Sequence, residues 1–358
     1  CDLIVTQDEI KNAEKDIFGD NGHYNKEQKK YLKCLDSCTV QAYAGTGKTT
    51  TIVGKLHILA QKNIWKTHRG ICVISHTNVA VDEIKKHVAK HYPAIMEYPN
   101  FIGTIQEFVN RFLFIPYLAS QGLQIRFQDE TYNYEHNWTL LNNLGIRPKN
   151  AILQTLISYE KLENNIFTKI YLINDIPYFS GKEFPIQTIN KNRRPENNIL
   201  SSDLKIINNY FISIINKRRD RRHFLFIESF IDGLKYLKNN SFLRTIIKHR
   251  FQFVFLDEAQ DSSAIQLKVL KELFDGDSNT IFQQIGDVNQ AISEIDWSPN
   301  NNYLSLSKST RFGNNISEFI NRFQVSDNDG VSGRVEDTKK YLITYEPGQE
   351  INILQKFT

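Results

Sequence analysis

A glycine-rich heptapeptide near the start of the chain has the residue types that hold a phosphate group. Glycines let backbone N–H groups turn toward phosphate oxygens, a lysine adds positive charge, and a threonine hydroxyl can ligate Mg²⁺. An apolar, β-prone run precedes it and a helical pattern follows it, although Ala42 stands where the usual pattern has its first glycine. This order predicts a site for a nucleotide and Mg²⁺. The heptapeptide is Ala44-Gly45-Thr46-Gly47-Lys48-Thr49-Thr50.

Two later apolar runs each end in polar residues that suit phosphate chemistry. The first leads into Asp257 and Glu258, and the second leads into a Gly-Asp pair and then Gln290. Ligands of open α/β sheets bind where buried strands end. Asp257 is suited to hold Mg²⁺, Glu258 to orient or deprotonate an attacking water, and Gln290 to sense a γ-phosphate through its amide.

Basic residues form two further features. Arg311 follows a proposed domain boundary, and an arginine that reaches across a cleft stabilises charge on γ-phosphoryl oxygens. The densest basic run, 217–223, fits two interpretations: a solvated helix face, or contact with a nucleic-acid backbone.

The pattern of apolar residues predicts the elements that position these groups. Alternating strands and helices predict a parallel, doubly wound sheet on both sides of an inserted, largely helical segment. Strands are predicted at 39–43, 70–74, 251–256 and 280–285, with strand-like runs at 341–344 and 351–354. Helices are predicted at 26–35, 78–91, 138–144, 151–162, 204–215, 224–237 and 314–323, with another after Ser262.

Composition narrows the class of protein. The net charge is +4, with 41% apolar and 23% charged residues, as in soluble globular proteins. No apolar run reaches transmembrane length and no signal peptide is apparent, so we expect a cytoplasmic protein without a membrane partner. The four cysteines lack metal-site spacing and are expected to be free thiols. Cys34 and Cys38 lie about one helical turn apart.

Together, these motifs resemble those of the superfamily 1 helicases of the UvrD/Rep/PcrA type, over roughly residues 20–325. The heptapeptide resembles motif I, and Gln28 resembles the adenine-reading glutamine of that family. Segments 75–80 and 103–108 resemble motifs Ia and Ib, 257–261 motif II, 286–290 motif III, and Arg311 the motif IV arginine.

The resemblance implies ATP and Mg²⁺ as cofactors and assigns a role to each matching residue. Hydrolysis would use Lys48, Asp257, Glu258, Gln290 and Arg311, and the metal would be held by Thr49 and Asp257. Gln28 and the heptapeptide would bind the nucleotide, and Thr77, Asn78 and Thr104 would contact single-stranded DNA.

One departure concerns the aromatic residues that follow motif III. Where the family carries Tyr-x-Trp-Arg, Ser293 stands at the tyrosine position and Trp297 is displaced. Two interpretations of Trp297 remain: a base-stacking residue or a core residue.

The implied architecture is an α/β, RecA-like P-loop NTPase core with a helical insert and part of a second RecA-like domain. Domain 1A would comprise 1–110 and 224–298, the insert 1B 111–223, and the start of domain 2A 299–358. Motifs V and VI are not found in these residues, so we expect the chain to be a portion of a longer polypeptide.

The first functional hypothesis is an ATP-dependent translocase or helicase that moves on single-stranded DNA with 3′–5′ polarity, the polarity being implied by the resemblance alone. The second is a nucleotide- or DNA-gated regulatory subunit, like the compact UvrD-like proteins that accompany an OLD-family nuclease in Gabija-type antiviral defence. The third is one subunit of a helicase–nuclease recombination complex.

Overall fold

The computed structural model divides the chain into two compact units, Cys1–Thr104 with Lys248–Thr358, and Ile105–Ile247. It describes residues 3–64, 68–123, 126–127, 170–173, 176–179, 182–183, 201–220, 223–276, 279–291, 297–300, 303–324 and 330–334. The predicted helices at 138–144 and 151–162, the strand-like runs at 341–344 and 351–354, and Ser293 lie outside the described residues.

Both units contain strands and helices, which are numbered here along the whole chain. The strands, in chain order, are β1 (Cys38–Ala42), β2 (Gly70–Ser75), β3 (Phe101–Thr104), β4 (Arg126–Phe127), β5 (Ile170–Ile173), β6 (Ile176–Phe179), β7 (Lys182–Glu183), β8 (His223–Phe224), β9 (Phe251–Leu256), β10 (Ile281–Gly286), β11 (Leu304–Leu306), β12 (Lys308–Gly313) and β13 (Ser332–Arg334). The α-helices are α1 (Gln7–Phe18), α2 (Lys26–Lys33), α3 (Lys48–Gln61), α4 (Asn78–Ala89), α5 (Ile105–Val109), α6 (Ile115–Ser120), α7 (Ser201–Asp220), α8 (Phe226–Asn239), α9 (Ser241–Arg250), α10 (Ala264–Phe274) and α11 (Asn314–Asn321).

A six-stranded parallel sheet forms the centre of the first unit, in the order β11-β1-β10-β9-β2-β3. Because every pair of neighbours is parallel, the carboxyl ends of all six strands lie on one edge. The predicted α/β fold, a parallel sheet with flanking helices, is confirmed. This edge is where the polar residues that follow the strands come together.

Helices cover the two faces of this sheet. On one face, Ile52 and Leu56 of α3 and Ile84 of α4 share a buried apolar cluster with Phe253 and Phe255 of β9. Strand residues alternate between faces. On the other face, the ring of Phe274 at the end of α10 lies 5.8 Å from that of Phe282 in β10. The sheet is therefore buried on both sides, as its continuous apolar strands predict.

The strand β11 belongs to this sheet, although residues from 299 onward were assigned from sequence to a second RecA-like domain. It pairs with Val40–Ala42 of β1. Three residues are too few to carry a strand pattern that shows which sheet they join. The two units also divide at 104/105 and 247/248, because α5, α8 and most of α9 group with the insert rather than with the sheet.

Strands as well as helices occur in the second unit, which was expected to be largely helical. The strands β5, β6 and β7 form an antiparallel sheet. Their sequence is rich in β-branched and aromatic residues, which favour extended backbone. The predicted helix at 204–215 is part of α7. A π-helical turn, Asn110–Phe114, joins α5 to α6, and Phe114 packs edge-on against Phe224 at 5.3 Å.

Two arginines of the basic run in the second unit form internal ion pairs. Arg218 and Arg219, at the end of α7, contact the buried carboxylate of Glu228 at 2.6 and 3.0 Å, and Arg219 lies 3.3 Å from Asp232. Arg218 is only 2% exposed. These two arginines therefore stabilise the fold of the insert, which fits neither of the two sequence interpretations for these positions.

Within the described part of the chain, no helix combines the length and the apolar character that are needed to cross a bilayer.

Candidate functional site

The glycine-rich heptapeptide forms a tight loop between β1 and α3. Gly45 and Gly47 have φ values of 72° and 77°, a left-handed region that residues with a side chain rarely adopt. Thr46 closes the turn, since its N–H and its hydroxyl both donate to the carbonyl of Tyr43, at 3.3 and 2.7 Å. The loop conformation therefore depends on glycine at both positions.

The first turn of α3 suits a phosphate group. Gly47 is the N-cap residue and has no side chain, so the first-turn N–H groups of Lys48, Thr49 and Thr50 have no cap side chain to which they can donate. Free N–H groups and the positive end of the dipole at the start of a 14-residue helix attract anions. The five residues from Thr46 to Thr50 thus fit the phosphate-binding role that their types predict.

The predicted acidic pair, Asp257 and Glu258, follows β9 at the carboxyl edge of the sheet. Asp257 is 1% exposed, and its Oδ1 accepts a hydrogen bond from the N–H of Glu258 at 3.0 Å. Glu258 has a left-handed backbone, with φ 50° and ψ 48°. Its Oε2 accepts hydrogen bonds from Lys48 Nζ and Gln260 Nε2, both at 2.8 Å. Strained backbone of this kind, costing about 1–2 kcal/mol, is concentrated at functional sites.

The two carboxylates differ in acidity. Burial raises the pKa of Asp257 to about 7, with a further increase from the charge of Glu258, and Lys48 offsets only part of this rise. Burial also raises the pKa of Glu258, but the charge and hydrogen bond of Lys48 outweigh it, so the net pKa lies below the usual value. Glu258 is therefore ionised at neutral pH, whereas Asp257 lacks a cation of its own.

This imbalance fits a divalent cation. One ammonium group, that of Lys48, faces two carboxylates, so the cluster has an excess of negative charge. Mg²⁺ in nucleotide sites uses one or two protein oxygens together with phosphate oxygens. The buried carboxylate of Asp257 and the hydroxyl of Thr49 are donors of that type.

A buried amide network joins the acidic pair to the predicted sensor, Gln290. The Oε1 of Gln260 accepts a hydrogen bond from the N–H of Asp287 at 2.9 Å. One carboxylate oxygen of Asp287 accepts from Gln41 Nε2 at 2.9 Å, and the other from Gln290 Nε2 at 2.6 Å. Gln260 thus contacts both Glu258 and the turn that carries Gln290, which is itself exposed.

The sequence analysis did not single out Gln41 or Gln260 as functional residues. Gln41 is fully buried within β1, and Gln260 is 3% exposed. A glutamine inside a strand that is otherwise apolar must find buried partners. That rule was the available signal for Gln41, but its partner Asp287 lies 246 positions away in the sequence.

Gln28, the predicted adenine-reading residue, lies at the start of α2 and uses both ends of its amide. Its Oε1 accepts from the N–H of Asn25 at 2.9 Å, completing a capping box, and its Nε2 donates to the carbonyl of Thr46 at 3.1 Å. Asn25 is the N-cap of α2. The structure thus brings Gln28 into contact with the phosphate loop.

The segment that carries Arg311 also contacts this loop. The N–H of Thr310 donates to the carbonyl of Gly45 at 2.9 Å, and the N–H of Tyr43 donates to the carbonyl of Leu306 at 3.1 Å. A Cβ atom on Gly45 would lie 2.6 Å from Arg311 Cβ and would also collide with Ser309. The backbone of Arg311 therefore lies beside the loop, with an exposed side chain.

The predicted DNA-binding residues follow the two strands at the far end of the same edge. Thr77 is the N-cap of α4, where its hydroxyl accepts from the N–H of Ala80 at 3.2 Å. Thr77 and Asn78 are exposed, and Thr104 is partly exposed at the end of β3, which pairs with β2. The sheet edge thus carries the candidate nucleotide residues on β1, β9 and β10 and the candidate DNA residues on β2 and β3.

His76 and Trp297, which lie near these motifs, both have structural contacts. His76 Nε2 lies 2.8 Å from the hydroxyl of Ser262, and burial lowers the pKa of His76, which favours a neutral ring at pH 7. Trp297 is 2% exposed and donates to Gln284 Oε1 at 3.0 Å. Of the two interpretations of Trp297, the structure supports the core residue.

Known proteins provide an independent comparison with this chain. Residues 24–311 match the family model of the UvrD/REP helicase N-terminal domain. A probable DNA helicase II homolog from Mycoplasma genitalium is 27% identical over 287 residues, which cover 75% of this chain and 36% of that protein. The ATP-dependent DNA helicase Rep of Buchnera aphidicola subsp. Schizaphis graminum is 24% identical over 275 residues, 75% of this chain and 37% of that protein.

A probable DNA helicase from Mycoplasma pneumoniae is 24% identical over 276 residues, 75% of this chain and 47% of that protein. The matches thus span less than half the length of these relatives. The family match covers most of the chain and includes the phosphate loop, the acidic pair and Arg311. The chain belongs to the UvrD/REP helicase N-terminal domain family.

Proposed function

We propose that the chain is the nucleotide-binding motor portion of an ATP-dependent helicase or translocase that moves on single-stranded DNA. The observation that carries this proposal is the group at the carboxyl edge of the sheet. There Lys48 lies 2.8 Å from Glu258, Asp257 is buried beside them, and the phosphate loop begins a long helix. The helicase relatives support the choice of DNA, and 3′–5′ movement is an expectation from the family resemblance alone.

In this mechanism Lys48 changes partner when ATP binds. Its ammonium group pairs with Glu258 in the structure, and the β- and γ-phosphates compete for the same charge. Binding therefore releases Glu258 from its strongest neighbour. Release removes the cation that lowers the pKa of Glu258, so the carboxylate becomes a stronger base that can accept a proton from the attacking water.

Magnesium, held by Asp257 and Thr49 together with phosphate oxygens, would neutralise charge on the phosphates. Gln260 keeps Glu258 in place through its 2.8 Å hydrogen bond, and Gln290, held by Asp287, offers its amide to the γ-phosphate. Arg311 is proposed to stabilise charge on the γ-phosphoryl oxygens, because its backbone lies next to Gly45.

Single-stranded DNA would bind at the other end of the sheet edge. Thr77, Asn78 and Thr104 present hydroxyl and amide groups that suit contacts to a sugar-phosphate backbone. β2 neighbours β9, the strand that carries Asp257. We propose that this adjacency couples ATP turnover to movement along the strand.

The test is steady-state ATP hydrolysis by the full-length polypeptide, with and without single-stranded DNA. We expect DNA to stimulate turnover, Lys48→Ala to abolish nucleotide binding, and Glu258→Gln to bind ATP but hydrolyse it poorly. A strand-displacement assay with 3′- and 5′-tailed duplexes then tests unwinding and polarity. Asp8→Asn, at an exposed position of α1, is the matched control and should leave all three readouts unchanged.

The outcome distinguishes the motor from a regulatory subunit. ATP binding with negligible turnover, whether or not DNA is present, would contradict the motor. It would favour the nucleotide-gated subunit of a nuclease assembly, and co-purification with a nuclease that is active only in the complex would strengthen that alternative.

A further inference from the structure

Two cysteines face each other at the amino end of β1, away from the phosphate loop. Cys34 ends α2 and Cys38 begins β1, and their Sγ atoms lie 3.8 Å apart. Both are free and half-buried. Since a disulfide has an S–S length of about 2.05 Å, the two sulfur atoms need to approach by only about 1.8 Å.

A buried ammonium group lies beside this pair. Lys55, on α3, is fully buried and donates hydrogen bonds to the carbonyls of Tyr31, Leu32 and Cys34. All three acceptors are neutral backbone oxygens. A buried cation that is solvated only by carbonyl groups favours a negative charge nearby. The thiols of Cys34 and Cys38 and the carboxyl group of Asp36 are the acidic groups whose charges act on Lys55.

The electrostatics make Cys34 the more acidic thiol. The hydrogen bond with Cys38 lowers the pKa of Cys34 to about 6 against the effect of burial. A hydrogen bond with the backbone of Asp36 and the charge of Lys55 also lower it, whereas the charge of Asp36 raises it. The hydrogen bond between the two thiols and burial raise the pKa of Cys38. Burial lowers the pKa of Lys55 to about 8, so the ammonium persists at pH 7. The phenol of Tyr31 stays neutral, because burial raises its pKa.

An amide fixes the geometry of the connecting loop. Gln283 Nε2 donates to the carbonyls of Cys34 and Asp36 at 3.1 and 2.8 Å, and it lies 4.0 Å from Cys34 Sγ. After Lys55, Gln283 is the second side chain that donates a hydrogen bond to the carbonyl of Cys34. The two thiols therefore differ in their contacts: the charge of Lys55 acts on both, the amide of Gln283 lies beside Cys34 alone, and Cys38, whose pKa is raised, remains protonated.

We propose that Cys34 and Cys38 are an oxidation site that takes hydrogen peroxide, with Cys34 as the attacking thiolate and Cys38 as the resolving thiol. The sulfur of Cys34 attacks one peroxide oxygen, the O–O bond breaks, and the leaving hydroxide takes up a proton to give water. The sulfenic acid on Cys34 is then attacked by Cys38, which loses its proton. The S–S bond forms, the S–O bond breaks, and a second water leaves.

The balance is two thiols oxidised by two electrons and one peroxide reduced to two waters. The proposal stands independently of the proposed ATPase function, since it rests on the opposite end of β1. It needs only a small oxidant, which reaches half-buried sulfur atoms more readily than a protein oxidant does.

The experiment uses the full-length polypeptide carrying Cys1→Ser, exposed to hydrogen peroxide at pH 7 and then denatured in N-ethylmaleimide. Trypsin cleaves after Lys33 and Lys48, so both cysteines fall in one peptide, 34–48. We expect this peptide to carry no maleimide group and to be lighter by two hydrogen atoms than its dithiol form. Cys72, which is buried and whose pKa is raised by burial, is the internal control and should remain a thiol that reacts with the maleimide.

Single variants separate the two roles. In Cys38→Ser, the sulfenic acid on Cys34 should persist and be captured by dimedone. In Cys34→Ser, the remaining Cys38 should stay a thiol at the same peroxide dose. Cys72→Ser is the matched control and should leave formation of the disulfide unchanged. Equal oxidation of Cys34→Ser and Cys38→Ser, or the absence of the bridged peptide in the parent, would overturn the proposal.

The role of Lys55 has its own readout. We expect Lys55→Met to slow oxidation of Cys34 by about tenfold, because the thiolate loses its neighbouring cation. If that variant does not fold, the parent is labelled with iodoacetamide as a function of pH. Cys34 should then react with a half-maximal rate near pH 6 and about tenfold or more faster than Cys72. A Cys34 profile that matches an ordinary thiol would contradict the assignment.

Discussion

Two clusters of buried charge, one in each unit, differ in whether their charges are balanced. In the second unit, two guanidinium groups face two carboxylates, and Glu228 accepts hydrogen bonds from Arg218, Arg219 and the N–H of Leu225. In the first unit, the single ammonium of Lys48 faces both Asp257 and Glu258. Among the described residues, the charges of the first arrangement balance, whereas the second has an excess of negative charge.

The difference shows why charge density in a sequence is a poor guide to a binding site. The basic run at 217–223 is the densest in the chain, yet Arg218 and Arg219 are held by carboxylates of the same unit. The acidic pair is a weaker compositional signal, but it combines burial, a strained backbone and an unmatched charge. Burial also raises the pKa of Asp232, to about 6, so a raised pKa alone does not separate the clusters. The balance of charge does.

The largest expected effect is on ATP turnover when Glu258, the proposed general base, is replaced. Glu258→Gln keeps the size of the side chain but cannot accept the proton, so kcat for ATP should fall by about 10²–10³-fold. Affinity for ATP should be maintained or increased, because Lys48 loses its competing partner. Phosphate release and equilibrium nucleotide binding measure the two quantities, and a decrease of less than tenfold in kcat would contradict the role of Glu258.

The equivalent change in the balanced cluster should affect stability instead. Glu228→Gln leaves the buried Arg218 without a carboxylate, which is expected to lower the free energy of unfolding by about 3 kcal/mol. Urea unfolding followed by fluorescence measures it. Asp220→Asn, an exposed position on the same helix as Arg218, is the control and should change stability by less than about 0.5 kcal/mol. Equal effects of the two variants would refute the comparison.

Removal of the unmatched charge should stabilise the protein in the absence of nucleotide and Mg²⁺. The pKa of Asp257 is raised to about 7 in the folded state. The protonated carboxyl group of Asp257 contributes to stability below its pKa in the unfolded state, which is near 4. This contribution is lost as the pH rises toward 7 and the group ionises. We expect Asp257→Asn to gain about 2 kcal/mol at pH 8, with the gain decreasing toward zero at pH 4.

Thermal unfolding at several pH values measures this gain. An Asp257→Asn variant that is less stable than the parent at pH 8 would show that the carboxylate is balanced by the protein itself. The same variant should fail to hydrolyse ATP, so the two readouts move in opposite directions.

The smallest expected effect concerns the amide network. Gln41→Leu removes a donor to Asp287, so Gln290 is less firmly held, and kcat should fall by about tenfold, or about 1.4 kcal/mol. Gln284→Leu is the matched control, since this glutamine lies in the neighbouring strand and bonds Trp297 rather than Asp287. Both variants should lose similar stability. A decrease in kcat of the same size in both would assign Gln41 a structural role only.

Much of the first unit is predictable from local sequence. The strand before the phosphate loop, the helix after it, and the N-cap at Asn25 follow from apolar period and capping chemistry within about ten residues. The strand at Phe251–Leu256 occurs at the predicted bounds, because its apolar run is flanked by basic and acidic residues. The acidic residues follow it directly, so their place at the sheet edge is predictable too.

The remaining features depend on partners that are distant in the sequence. Leu304–Leu306 joins the first sheet only because β1 offers an edge to pair with. The network of Gln41, Gln260 and Asp287 requires three strand ends to meet, which no local pattern specifies. Arg218 is buried because Glu228 lies ten positions further along, across a strand and into the next helix.

One backbone hydrogen bond has a mechanical consequence. The N–H of Asp257 donates to the carbonyl of Ile74 in β2 at 2.9 Å, so the peptide that carries the carboxylate is bonded to the strand that leads to Thr77. Neighbouring strands are about 4.8 Å apart, and no hinge lies between them. We therefore expect a displacement of Asp257 to move the end of β2 in the same direction, because paired strands are stiffer than a loop.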